Sequence, residues 1–178
     1  MEINIKLKEK KGNMIPFAVA IVLALLIIFT SISEYLRLKI IAAGIKEVVQ
    51  SSVITISIEN YENVYSSNRE GYSSGHKYDN DREEWKEEID IGDVYKEMNK
   101  LLNLDKQGEY YVKTSSEGYE YRLSDLKVNI INSPLKSSSD KFQAESYINL
   151  EVPLSFGWEH IPSMKIRLKV KSEYMAMF

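Results

Sequence analysis

Between Asn13 and Glu34 the chain carries no charged side chain. The run is Met-Ile-Pro-Phe-Ala-Val-Ala-Ile-Val-Leu-Ala-Leu-Leu-Ile-Ile-Phe-Thr-Ser-Ile-Ser, apolar on every face of a helix. At about 20 residues it spans roughly 30 Å as a helix, the thickness of the hydrocarbon layer of a bilayer. A helix satisfies its own backbone hydrogen bonds and is therefore stable in lipid. Pro16 falls in the opening turn, where a missing amide donor costs little. Lys6, Lys8, Lys10 and Lys11 precede the run, against Glu2 and Glu9. That basic bias places the short tail in the cytoplasm and the remainder on the outer side. A cleaved secretory signal shares the basic start. However, the apolar core here is long, and the small-residue stretch Ala42-Ala43-Gly44 comes only after Arg37 and Lys39. A buried helix of a soluble protein fits less well, because uninterrupted apolarity on all faces is unusual there.

The helical pattern outlasts the apolar run. Leu36, Leu38, Ile40, Ile41, Ile45, Val48, Val49, Ser52, Val53 and Ile56 recur mostly three and four residues apart, while Arg37, Lys39, Lys46, Glu47 and Gln50 fill other faces. One long helix is expected from about Ile15 to about Asn60, with an amphipathic second half. The β-branched run 53–58 also reads as a strand, and the two readings stay open. Residues 61–92 turn polar: Ser/Gly-rich first, then acidic around Trp85, as a loop excursion or a short helix.

A small helix is expected to begin at Asp93, with Val94, Met98, Leu101 and Leu102 on one face. Asp90 or Gly92-Asp93 is placed to cap it, and 104–108 to end it. After Gly108 the period becomes two. Strands are expected over 109–114, over 119–131 with a break near Ser124-Asp125, over 142–156, and over 163–174. In the third, Ala144, Tyr147 or Ile148, Leu150, Val152 and Leu154 are the inward candidates, and Pro153 marks an edge or an end. In the fourth, Met164, Ile166, Leu168 and Val170 alternate with Lys165, Arg167, Lys169 and Lys171. The expected fold class is α+β: a long helix, a short helix and an antiparallel sheet of about four strands, its apolar face covered by the amphipathic part of the long helix.

Absence of cysteine excludes disulfides, thiolate metal sites and cysteine nucleophiles. A formal charge of −3 over 178 residues gives no reason to expect nucleic acid. The two histidines, His76 and His160, lie in different regions. His76 near Asp79 and Asp81 reads as a solvated loop rather than a metal site. Asp79-Asn80-Asp81 begins like a calcium loop, but Glu84 and Asp90 stand where Gly and Glu are required. No catalytic residues, cofactor or metal ligands are assigned, and the chain is not expected to be an enzyme. The basic face Lys165/Arg167/Lys169/Lys171 fits the solvated side of a sheet better than a contact for anionic polymer or lipid headgroups. Gly44 is either a point of close helix contact or a tolerated weak point. Glu34 and Arg37, at i and i+3, are placed to pair at the interface, although a place for Arg37 near the lipid headgroups is the more general explanation.

The order of these elements, with Lys10-Lys11-Gly12 before the apolar run, Glu34-Tyr35-Leu36-Arg37-Leu38 after it and Ile41-Ala42-Ala43-Gly44 beyond, resembles type IV pilins and pseudopilins. Within that group it resembles the TadE/TadG-like proteins of tight-adherence (Flp-type) pili, whose closing strand Lys169–Tyr174 is similar to. The resemblance implies a leader-processing site at Gly12-Asn13, cut by a prepilin peptidase, and a membrane-exit and assembly block of Glu34, Tyr35, Arg37 and Leu38. It implies as partners the lipid bilayer, other pilin-like subunits and a pilus assembly platform. Pilins carry Glu five residues after the cleavage Gly; here that position holds Phe17. The departure points to a minor pseudopilin, or an unprocessed anchored relative, rather than a main fibre subunit, with an anchored binding, sensor or accessory subunit of an envelope complex as the alternative. The expected organisation is a cytoplasmic leader over 1–13, a transmembrane helix over 14–33, an amphipathic extension over 34–60, a polar acidic loop region over 61–92 and an extracytoplasmic α+β domain over 93–178.

Overall fold

The computed structural model describes residues 14–64, 76–79, 84–87, 89–116, 118–132, 141–155 and 162–174, with side chains described from 15 to 58 and from 89 onward within those ranges. Two units divide the chain, Met1–Leu38 and Lys39–Phe178. Helix α1 runs from Met14 to Val64. In the first unit its apolar side chains are exposed on all sides, from Ile15 at 75% to Phe29 at 70% and Ile32 at 54%.

In the second unit α1 becomes one-sided. Ile45, Val49, Ser52, Val53, Ile56 and Ser57 are buried, spaced so that they fall on one stripe. The run 53–58 is therefore helix. Its β-branched residues have a mild strand preference, and burying Val53 and Ile56 on the stripe outweighs it. The Ser57 hydroxyl donates back to the Val53 carbonyl at 2.8 Å.

Strands β1 (His76–Asp79) and β2 (Glu84–Glu87) pair antiparallel as a two-stranded ribbon. A loop or short helix was expected in this stretch, and its sequence shows why. Four-residue strands are too short to display an alternation. Helix α2 (Ile91–Leu102) starts two residues earlier than Asp93, because Asp90 is the cap and its carboxylate accepts from the Gly92 amide at 2.8 Å. Asn103 closes the helix in the left-handed conformation (φ 52°). Asp105–Gln107 then forms β3, an exposed edge strand, where a helix end was expected.

The main sheet is a five-stranded antiparallel meander in sequence order: β3, β4 (Tyr110–Ser115), β5 (Gly118–Asn132), β6 (Phe142–Val152) and β7 (Met164–Tyr174). The fold is α+β, with one strand more than expected. β6 stops at Val152 because Pro153 has no amide to donate, so Leu154 lies past the strand and is only half-buried. The inner face of the sheet carries Leu123, Ala144, Ile148, Leu150, Leu168 and Val170, all buried. With the α1 stripe and Val94, Tyr95 and Met98 of α2, they form the core of the second unit. Met164, an inward candidate, sits at a corner of the sheet and is 45% exposed.

β5 contains the expected break. Its pairing with β6 slips between Ser124 and Lys127, and Asp125 takes a left-handed conformation (φ 51°). The extra residue switches the inward positions from odd (Tyr121, Leu123) to even (Leu126, half-buried Val128). A second irregularity, between Lys113 and Thr114 of β4, pairs Tyr119 with Thr114.

Candidate functional site

Of the positions singled out in the sequence, Gly12 and Asn13 lie outside the described residues. Glu34, Tyr35, Arg37 and Leu38 follow one another on α1. The Arg37 guanidinium grips the Glu34 carboxylate with two nitrogens, Nη2–Oε1 at 2.6 Å and Nε–Oε2 at 3.3 Å. Glu34 is 7% exposed, alone among residues 15–36 in being buried. Tyr35 is 64% exposed and Leu38 half-buried. The pair lets a carboxylate sit at the end of an apolar segment with its charge compensated, which an isolated carboxylate there could not do cheaply. Helix α1 is long and apolar enough to cross a membrane.

The side chains of His76, Asp79, Asp81, Glu84 and His160 lie outside those described. Asp90, the last position of the calcium-type pattern, caps α2.

A second group of residues lies on the outer face of the main sheet, and the sequence pointed to only one strand of it. The basic positions of β7 face upward from that strand, as its alternation required, but their neighbours on β6 are not neutral. Glu145 and Lys169 pair at 2.7 Å, and Glu151 meets Lys165 at 3.9 Å and Arg122 of β5 at 2.7 Å. Arg167 lies over the Tyr147 ring, 5.4 Å from its centre, and among the described residues faces no carboxylate within ion-pair distance. The Arg122 guanidinium lies between Tyr110 and Tyr119, 4.8 and 5.0 Å from the ring centres. The hydroxyl of Tyr119 meets that of Ser163 at 2.8 Å.

These contacts favour the charged forms of the groups they join. The hydrogen bond from Arg122 holds the Glu151 carboxyl below its ordinary range, and that from Lys169 does the same for Glu145. Lys169 is raised in return, chiefly by Glu145. Between these pairs opens a depression of about 310 Å³, lined by Tyr110, Ser124, Asn149, Glu151, Lys165 and Arg167 together with Leu150 and Ile166. Ser124 stands at the bulge of β5.

Tyr110, Arg122, Ser124, Asn149 and Glu151 were not singled out from the sequence. Their strands were legible, but which residues meet across them depends on register and on two irregularities in pairing. The signal that was present is the outward series Glu145, Tyr147, Asn149, Glu151, alternating with the buried series on β6. Comparison of the chain with protein-family models, with curated proteins and with solved structures gives no match.

Proposed function

We propose that this protein is a membrane-anchored, pilin-like structural component: a minor pseudopilin of a TadE-like pilus or secretion assembly. In this reading the N-terminus is cytoplasmic and the α+β domain extracytoplasmic. One observation carries the reading. The N-terminal part of α1 exposes apolar side chains all round, while the same helix further on buries a single stripe in the core of an antiparallel sheet domain. Each Leu, Ile or Phe there is about half to three-quarters exposed and in water forgoes a large part of the roughly 1.5–3 kcal/mol that full burial is worth. The segment therefore requires lipid or neighbouring helices around it, and a helix that is both anchor and core element is the construction the resemblance implies. The missing acidic residue at Phe17 supports a minor role.

The chain lacks cysteine, so a single introduced cysteine is a unique reporter. Ile40→Cys places it at a site 70% exposed. A crosslinker that joins this thiol to nearby amines in native membranes is expected to trap the variant with other pilin-like subunits, and intact mass of the extracted protein to show loss of residues 1–12. An uncut, uncrosslinked chain refutes assembly. The alternative, an anchored binding subunit, is favoured by the depression on the outer sheet face.

A further inference from the structure

We propose that the depression on the outer face of β4–β7 binds an acidic sugar unit, a uronic acid residue of a polysaccharide. Such a site does not depend on whether the chain joins a fibre. Charge comes first. The one carboxylate in the lining, Glu151, is already held by Arg122 and Lys165, whereas Arg167 stacks on Tyr147 and among the described residues has no carboxylate within ion-pair distance. The lining thus keeps a planar guanidinium for an incoming anion, and its fork matches a carboxylate.

The neutral groups select the rest of the ligand. Ser124, Asn149 and Tyr110 line the same depression and offer both donors and acceptors, and Glu151 adds acceptor oxygens. An inorganic anion such as phosphate, with few hydroxyl hydrogens left at neutral pH, makes little use of acceptors. A sugar ring needs them for its hydroxyls. The volume, about 310 Å³, lies at the small end of ligand sites (roughly 300–1,000 Å³), suited to one ring. The geometry is also firm. Arg122 is fixed between two tyrosine rings and Glu151, and the bulge that places Ser124 is anchored by Leu126 in the core.

The full-length chain in neutral detergent would be titrated with trigalacturonate, with its fully methyl-esterified form and with inorganic phosphate. The acid is expected to bind and the ester to bind much more weakly. Arg167→Gln is expected to lower affinity about tenfold, the loss of one charge-assisted contact. Asn149→Asp, which sets a like charge in the depression, is expected to lower it similarly, and this second variant decides the matter if the first misfolds by circular dichroism. Equal binding of acid and ester overturns the proposal, as does phosphate competing as well as the sugar, wild-type affinity in the folded variants, or no binding by the wild-type chain.

Discussion

Arg122 and Glu151 are register partners on β5 and β6, and their side chains meet on the outer face at 2.7 Å, with the carboxylate side chain only 10% exposed. The bond ties together the two strands that flank the bulge at Ser124–Lys127. Replacing Glu151 with Gln leaves Arg122 without its charged acceptor and is expected to cost about 1–2 kcal/mol in chemical denaturation. The pH dependence has a defined sign. Arg122 depresses the Glu151 carboxyl below its ordinary 4.5, so the carboxylate's contribution is fully present above pH 4.5 and disappears as pH falls through the depressed value. The stability gap between wild type and Glu151→Gln is therefore expected at pH 7 and should close in strong acid. A gap that persists there assigns the loss to packing.

The aromatic pair between α2 and β4 responds at the other end of the pH scale. Tyr95 and Tyr111 stack with centres 3.9 Å apart, and the Tyr95 hydroxyl accepts the Leu126 amide at 3.2 Å. Burial pushes Tyr95 and Tyr121 up to about 12. Their neutral forms are favoured in the fold, so this contribution is complete below pH 10 and is lost as pH rises toward 12. Tyrosinate absorbance is expected to show two phenols ionising near 12, together with alkaline unfolding. Tyr95→Phe removes one of them and is expected to cost about 1–2 kcal/mol by leaving the Leu126 amide without its acceptor.

Buried serines separate satisfied from unsatisfied hydroxyls. Ser52, Ser146 and Ser172 are fully buried, and their hydroxyls have no hydrogen-bond partner among the described residues, whereas Ser57 bonds to the Val53 carbonyl. Ser146→Ala and Ser172→Ala are expected to be neutral or stabilising by up to about 1 kcal/mol. Ser146→Leu, which adds volume where β6 faces Val170 of β7, is expected to cost about 1–3 kcal/mol. Thermal melts of the three variants provide the comparison. A clear loss in either alanine variant would show that the hydroxyl is bonded in solution.

How far the sequence led is clearest at β5 and β3. The alternation in 119–131 gave the strand, and Ser124-Asp125 gave its break, because a polar pair inside an apolar alternation has to leave the core. What the alternation could not give was the parity switch, since one inserted residue moves every later side chain to the other face. β3 was missed for a different reason. Its three residues are all exposed, so it carries no burial pattern and exists only through pairing with Tyr110–Val112. The outer-face depression falls in the same class. Arg122, Asn149 and Arg167 are far apart in the chain, and only register brings them together.

Gly44 tests whether α1 packs against other subunits. A Cβ built there meets no described atom within 4 Å, and the residue is exposed. In the isolated chain Gly44→Ala is expected to stabilise the helix by about 1 kcal/mol. In the assembly proposed above, a close helix contact at Gly44 would reverse that gain, and crosslinking through Ile40→Cys is expected to weaken. Unchanged crosslinking with a more stable chain would mean that Gly44 faces solvent in the assembly as well.

The anchor itself is tested by charge. Leu26 lies midway along the apolar segment and is 55% exposed. An aspartate at the centre of a membrane helix costs about 2.5–3.5 kcal/mol on insertion scales. Leu26→Asp is therefore expected to make the protein partly extractable from membranes by alkaline carbonate, where the wild type stays. Polarity alone is not enough to produce this effect, because the segment already contains Thr30 and Ser31. Their hydroxyls donate to the carbonyls of Leu26 and Ile27 at 3.0 Å and of Ile27 at 2.8 Å, so neither presents an unbonded donor to lipid. Thr30→Val is accordingly expected to leave extraction unchanged. If Leu26→Asp is retained as firmly as wild type, the segment is covered by something other than a hydrocarbon layer, and the anchor reading fails.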